Sequence, residues 1–140
     1  MPGIVFEDLA VGQSAELTRT VAEGDLAAFA EVSGDDNPVH LDEAYAATTP
    51  FGGRIAHGML SAAYISAVIG TQLPGPGTIY LTQSLRFRRP VRIGDAVTAR
   101  ATITALDDRR GDVTIATVCE VGGKTVLDGE ALVRAPRRGA

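Results

Sequence analysis

One uncharged and almost wholly apolar run most constrains how this chain can fold. The segments that follow it alternate between apolar and polar residues. Residues 57–70 read HGMLSAAYISAVIG and contain no Asp, Glu, Lys or Arg. A helix of this length spans about 21 Å, which is too short to cross a bilayer. Because the run is apolar nearly all round, the sequence predicts a helix that protein encloses on every side.

After this run the hydrophobic period changes from that of a helix to that of strands with one buried face. Strands are predicted at residues 79–88, 97–105, 113–119 and 125–134, and an earlier one at Ser14–Thr20. The pair Gly122-Gly123 predicts a hairpin turn between the last two strands. The pattern is that of an α+β fold in which an antiparallel five-stranded sheet, with its last four strands in a meander, packs against one apolar helix.

The segment between the first strand and the apolar helix is predicted to contain two helices and a loop. A helix is predicted at residues 21–32, where Thr20 and Glu23 match a capping box. A second, short helix is predicted at residues 42–47. The intervening sequence SGDDNP, at residues 33–38, consists of turn-forming residues and therefore predicts a loop.

Composition favours one ordered domain over residues 1–140. The single cysteine, Cys119, excludes an intramolecular disulfide and fits a reducing compartment, so we expect a cytoplasmic protein. The net charge of −4 argues against a nucleic-acid partner, and no apolar run is long enough to predict a membrane partner. The first 50 residues hold ten acidic side chains and one basic, whereas residues 51–140 hold seven acidic and twelve basic. An anionic ligand is therefore expected to contact the second part of the chain.

The first histidine lies near an aspartate across a predicted turn. Asp35 and His40 are five positions apart on either side of Asn37-Pro38, so a compact loop can direct a carboxylate and an imidazole into one space. An acid and a base in one pocket can move a proton in either direction at neutral pH. The same spacing also fits an aspartate that caps a turn and a histidine on a surface loop, and spacing alone leaves both interpretations open.

The second histidine, His57, precedes Gly58 at the start of the apolar helix. Amides of a first helical turn have no intrahelical acceptor, so the Gly58 N–H could bind a developing oxyanion. A glycine needed only for close packing is the alternative.

Four arginines within seven residues form the strongest positive cluster of the chain: Arg86, Arg88, Arg89 and Arg92. Strand alternation places Arg86 and Arg88 on one face. Guanidinium groups there would suit the phosphates of a ligand or the acidic surface of a partner protein. A solvated strand face and a subunit interface with salt bridges are the alternatives.

Four segments together resemble the MaoC-like (R)-specific enoyl-CoA hydratases, of the short type that supplies polyhydroxyalkanoate synthesis. They are GDDNPVH at residues 34–40, FGGRIAHGMLSAA at 51–63, GTIYLTQSLRFRRPVRIGD at 77–95 and GEALVRAP at 129–136. The resemblance implies a hot dog fold, in which an antiparallel sheet wraps a central helix. It also implies a homodimer whose sheets join edge to edge, and no metal or redox cofactor.

The resemblance further implies roles for individual residues. Asp35 and His40 would be the catalytic pair, and the Gly58 amide would polarise the thioester carbonyl. In the substrate-binding set, Asn37 would shape the loop and Ser66 would assist near the site. Ile69 shares a helix face with Ser66 and could line the acyl pocket, while Arg86 and Arg88 would contact the CoA phosphates.

The implied reaction is the reversible (R)-specific hydration of a trans-2-enoyl-CoA thioester to (R)-3-hydroxyacyl-CoA. Dehydration of (R)-3-hydroxyacyl groups on acyl carrier protein, thioester hydrolysis and a non-catalytic partner subunit are the alternatives. Hydrolysis is less favoured, because thioesterases of this fold usually carry an Asp or Glu on the central helix and residues 57–70 contain neither. A metal site is not expected, because two histidines without a recognisable ligand cluster make a poor zinc site.

Overall fold

The computed structural model describes residues 2–139 and contains six strands and four α-helices. In chain order they are β1 (Ser14–Thr20), α1 (Glu23–Ser33), α2 (Pro38–Leu41), α3 (Glu43–Ala46), α4 (Gly58–Thr71), β2 (Ile79–Gln83), β3 (Arg86–Phe87), β4 (Ala96–Asp107), β5 (Asp112–Val121) and β6 (Lys124–Arg134). The strands form one antiparallel sheet that wraps α4, which is the hot dog fold expected from the sequence.

The strand order of the sheet is β1-β4-β5-β6-β2, with β3 also paired to β6. The last three strands form a meander as predicted, but the prediction that β2 pairs with β4 is wrong. Strand β1 pairs with the outer edge of β4 along its whole length. Strand β2 therefore pairs with β6 and lies at the opposite edge of the sheet.

The predicted strand at residues 79–88 is divided into β2 and β3, so the sheet has six strands where the sequence predicts five. The interruption falls at Ser84, whose backbone N–H donates to the Glu130 carbonyl at 2.9 Å. In return the Glu130 N–H donates to the Ser84 hydroxyl at 3.0 Å. Because a side chain replaces the backbone acceptor there, the regular ladder ends at β2 and resumes at β3.

Helix α4 lies against the sheet through one broad face. The buried residues of this helix are Leu60, Ser61, Tyr64, Ile65, Val68 and Ile69. Ala99 and Ala101 of β4 are fully buried, and their small side chains let the helix lie close to the sheet. The opposite stripe, Met59, Ala63, Ser66 and Gly70, is exposed. The prediction that protein encloses this helix on every side is therefore wrong for the single chain.

The predicted capping box at Thr20 and Glu23 is also wrong. Thr20 is the last residue of β1, where it pairs with Ala96, and α1 begins at Glu23. The backbone N–H of Ala22 instead donates to the Asp25 carboxylate at 2.8 Å. The pairing of β1 with β4 extends the strand into the first residue that the sequence pattern gave to the helix cap.

Two local predictions about the sheet are confirmed. Gly122 and Gly123 both have positive φ, at 57° and 78°, as a two-residue turn between β5 and β6 requires. Cys119 of β5 is fully buried, its thiol donates to the Ser61 carbonyl at 3.4 Å, and burial raises its pKa to about 12. The thiol is therefore a packing group. Among residues 2–139, no helix is long and apolar enough to cross a membrane.

Candidate active site

The loop after α1 is built by short-range hydrogen bonds from polar side chains. Gly34 ends the helix with a φ of 80°, a left-handed conformation that glycine adopts without strain. One oxygen of the Asp35 carboxylate accepts from the Asn37 N–H at 3.3 Å. The Asn37 side chain in turn accepts from the Val39 N–H at 3.1 Å and caps α2, which begins at Pro38. Asn37 therefore shapes the loop.

His40 lies on α2 and is only 8% exposed, so it is not the surface-loop histidine of the alternative interpretation. Its Nδ1 lies 2.8 Å from the carbonyl oxygen of Ile55. A carbonyl can only accept a hydrogen bond, so Nδ1 carries a proton and the neutral ring keeps its lone pair on Nε2. Asp35 is exposed, and its carboxylate caps a turn and lies within 4.8 Å of a nitrogen of this ring. The structure is compatible with both sequence-based interpretations of this residue.

Arg54 connects the backbone that carries His40 to its neighbours. Its Nε donates to the His40 carbonyl at 2.7 Å, and its guanidinium pairs with Glu23 of α1 at 2.8 Å. The Arg54 backbone N–H donates to Glu43 of α3 at 3.3 Å. Arg54 therefore links the His40 backbone to α1 and α3.

The sequence analysis missed a third member of the cluster, His57. This side chain is 2% exposed, and its Nε2 donates to the backbone carbonyl of Asp35 at 2.9 Å. Its ring stacks on His40 with the centroids 3.8 Å apart, and it contacts Phe29 at 4.8 Å. The available signal was that the chain has only two histidines and that this one begins the apolar helix.

The remaining nitrogen of His57, Nδ1, is buried and has no hydrogen-bond partner among the described residues. A buried polar atom in that state costs about 1–3 kcal/mol of stability. This cost offsets part of the stability that the ring gains from its hydrogen bond to Asp35 and its contacts with His40 and Phe29.

The fold brings Asp35, His40 and His57 together although the sequence suggested no ligand cluster. One ligand-capable atom from each lies within 4.8 Å of the other two. A metal bound to both imidazoles would have to lie in both ring planes, about 2.1 Å from each nitrogen. Rings stacked 3.8 Å apart with planes inclined by 27° do not allow this. The arrangement fits proton transfer better than metal binding.

Gly58 begins α4 directly after His57, as predicted. A Cβ atom on this residue would lie 2.6 Å from the ring of Phe87, so the close approach of that ring favours glycine here. That geometry does not occupy the Gly58 amide, because a first-turn N–H has no intrahelical acceptor. Both interpretations of this glycine are therefore compatible with the structure.

A cavity of about 450 Å³ opens at the same end of α4. Its lining includes Gly58, Ile55, Phe87, Arg88 and Arg89. Ile55 is the residue whose carbonyl holds the His40 ring. The cavity therefore adjoins the histidine cluster, although neither Asp35 nor His40 is among the described residues that line it.

The other predicted binding residues are distributed more widely. Arg88 lines the cavity and pairs with Asp128 at 3.2 Å, whereas Arg86 is exposed on β3 outside the cavity lining. Ser66 belongs to the exposed stripe of α4, about 12 Å along the helix from Gly58. Ile69 is fully buried in the core. The role of Ser66 near the site and that of Ile69 at the acyl chain stay predictions.

Residues 8–125 match the family model described as MaoC like domain. A protein named (R)-specific enoyl-CoA hydratase from Rhodospirillum rubrum is 58% identical over 96% of this chain and 93% of its own length. A 3-hydroxybutyryl-CoA dehydratase from Methylorubrum extorquens is 50% identical over 96% of this chain and 86% of its own.

The solved structure of an unliganded (R)-hydratase from Pseudomonas aeruginosa superposes with a TM-score of 0.92 at 55% identity, covering 97% of this chain and 88% of that one. The family match, the two sequence relatives and the shared fold agree with the motifs that form the Asp35–His40 cluster. The chain belongs to the MaoC-like family.

Proposed function

We propose that this protein is a hydro-lyase that catalyses the reversible (R)-specific hydration of trans-2-enoyl-CoA to (R)-3-hydroxyacyl-CoA. The observation that carries the proposal is the approach of Asp35 and His40 to within 4.8 Å beside the Gly58 end of α4. The names of the relatives from R. rubrum and M. extorquens support the two directions of one reaction.

The chemistry needs a base for water, a proton for C2 of the substrate, and stabilisation of negative charge on the thioester oxygen. The Asp35 carboxylate is suited to take a proton from water as the water oxygen bonds to C3. His40, with its lone pair on Nε2, would accept a hydrogen bond from that water and orient it, or take part in passing on its proton. The proton that the Asp35–His40 pair takes from water would be returned to C2, so that one water is added across C2 and C3. The Gly58 N–H would donate to the carbonyl oxygen as an enolate forms.

The CoA part of the substrate would enter through the cavity at Gly58. Arg88 and Arg89 line it and provide positive charge for the phosphates of CoA, with Arg86 on the same strand segment. An acidic acyl carrier protein would meet the same surface, so dehydration of a carrier-bound 3-hydroxyacyl group is the second candidate. We propose a cytoplasmic location, in line with the single buried thiol.

The test is an assay of the wild-type protein on crotonyl-CoA. Loss of the conjugated enoyl absorbance without release of free thiol is expected, and chiral analysis should give the (R)-3-hydroxybutyryl product. Release of thiol would instead establish hydrolysis. Comparison with crotonyl-acyl carrier protein separates the two candidates, since the proposal requires the larger kcat/KM on the CoA thioester.

We also propose that two copies of the chain form a dimer with joined sheets. Strand β2 is an edge strand whose apolar side chains are exposed, namely Ile79 at 57%, Tyr80 at 38% and Leu81 at 40%. An exposed apolar edge is unfavourable in a soluble protein unless another strand covers it. The exposed stripe of α4 offers further apolar surface.

Light scattering should give twice 14.6 kDa for the wild-type protein. Leu81→Lys places a charge on the β2 edge and should shift the mass to that of the monomer. Val32→Lys is the matched control, because Val32 is 83% exposed on α1 and lies outside β2, and its variant should remain dimeric. A monomeric wild-type protein would contradict the proposal.

A further inference from the structure

We infer that His57 is a positioning residue that holds both members of the catalytic pair in reacting geometry. The inference rests on the proposed function, because it needs Asp35 and His40 to act on substrate. It adds a third residue whose own atoms need not touch the substrate.

The first observation is that one imidazole contacts both catalytic residues at once. The Nε2–H of His57 donates to the Asp35 backbone carbonyl at 2.9 Å, which ties an exposed loop to the start of α4. The face of the same ring stacks on His40 at 3.8 Å. Movement of His57 would therefore displace the carboxylate and the imidazole together.

The second observation is that other contacts hold the two catalytic residues only in part. The Nδ1 bond to Ile55 limits rotation of the His40 ring, and stacking on His57 limits its tilt. Asp35 is exposed, and within the loop it forms hydrogen bonds with Ser33 and Asn37, which belong to the same short segment. The hydrogen bond from His57 joins this segment to the start of α4.

The third observation is that the Nδ1 atom of His57 is buried and has no hydrogen-bond partner among the described residues. The imidazole of histidine is a small side chain that has both a flat aromatic face and an N–H at its tip. Stacking on His40 needs the face, and the Asp35 carbonyl needs the donor. The unpartnered nitrogen is the consequence of using one side chain for both contacts.

The test separates the effect of the His57 hydrogen-bond donor from that of its aromatic ring. His57→Phe keeps an aromatic face for His40 but removes the donor, and should lower kcat on crotonyl-CoA about 10- to 100-fold, since small displacements of reacting groups are that costly. KM should change far less than kcat, because the substrate-binding surface is not altered. His57→Gln restores an N–H near the Asp35 carbonyl but not the ring face, and should recover part of the loss.

Tyr64→Phe is the matched control. Tyr64 is also buried on α4 and its hydroxyl is also unpartnered among the described residues. Unlike His57, it forms no hydrogen bond or ring stack with Asp35 or His40 within residues 2–139. Its removal should leave kcat unchanged. Circular dichroism melts of all variants establish that the compared proteins are folded.

A double variant distinguishes positioning from general structural support. If His57 acts through Asp35, His57→Phe should cause little further loss of kcat in an Asp35→Asn background. A full additional loss there, equal wild-type and His57→Phe rates, or equal rates for the Phe and Gln variants would each overturn the inference. A wild-type protein that does not hydrate crotonyl-CoA would instead overturn the proposed function itself.

Discussion

Asp35→Asn should lower kcat on crotonyl-CoA by about 10² to 10⁴, which corresponds to about 2.7–5.4 kcal/mol of transition-state stabilisation. The substitution is nearly isosteric and removes the charge and basicity of the side chain. It keeps the oxygen that accepts from the Asn37 N–H at 3.3 Å. Since the side chain is exposed, we expect thermal stability close to that of the wild type.

His40→Asn is the matching change for the second member of the pair. Its amide nitrogen can take the place of Nδ1 and donate to the Ile55 carbonyl, which lies 2.8 Å from the histidine. The variant lacks the basic Nε2, so a loss of kcat in the same range is expected. The double variant should lose little more than either single variant, because groups that act on one water are strongly non-additive.

Thermal melts must accompany these rates, so that an unfolded variant is not taken for an inactive one. A folded Asp35→Asn protein with kcat within about tenfold of wild type, still forming the (R)-product, would contradict the role of the carboxylate. Losses that multiply in the double variant would show that the two residues act at separate steps.

Gly129→Ala should be the most destabilising of the glycine substitutions within the sheet. A Cβ atom at this position of β6 would overlap the backbone carbonyl of Ser84, in the interruption between β2 and β3. The clash is with backbone, so no side-chain rotation relieves it. We expect a loss of about 3 kcal/mol and a fall in Tm of roughly 10 °C.

The matched control is Gly24→Ala on α1. A Cβ there meets no atom within 4 Å, and alanine is favoured over glycine in a helix by about 0.5–1 kcal/mol. Calorimetric or circular dichroism melts should therefore show no loss for this variant. A Gly129→Ala protein that melts with the wild type would mean that β2 and β6 can separate at this point without cost.

Much of the fold follows from periodicity along the chain. The change of hydrophobic period after the apolar run correctly predicts α4 and the strands that follow, because helices and strands bury residues at different spacings. Local turn chemistry likewise predicts the Gly122-Gly123 hairpin. Periodicity fails where a partner decides the outcome, as at Thr20, which β4 holds in a strand.

The candidate site likewise has features that the sequence predicts and features that only the tertiary structure shows. The spacing of Asp35 and His40 predicts that they can meet, because both lie on one short segment that polar side chains fold by local hydrogen bonds. Local sequence also marks Gly58 as the start of a helix with a free amide. These features depend on residues within a few positions of one another, and such interactions are readable from the sequence.

Only the tertiary structure shows that His57 bonds to Asp35 and stacks on His40, that Phe87 fills the space beside Gly58, and that Arg88 joins this cavity while Arg86 does not. It also shows that β2 pairs with β6 and not β4. These contacts join segments far apart in the chain. Which distant segments meet depends on how the whole sheet packs around α4, and no local pattern of residues specifies that choice.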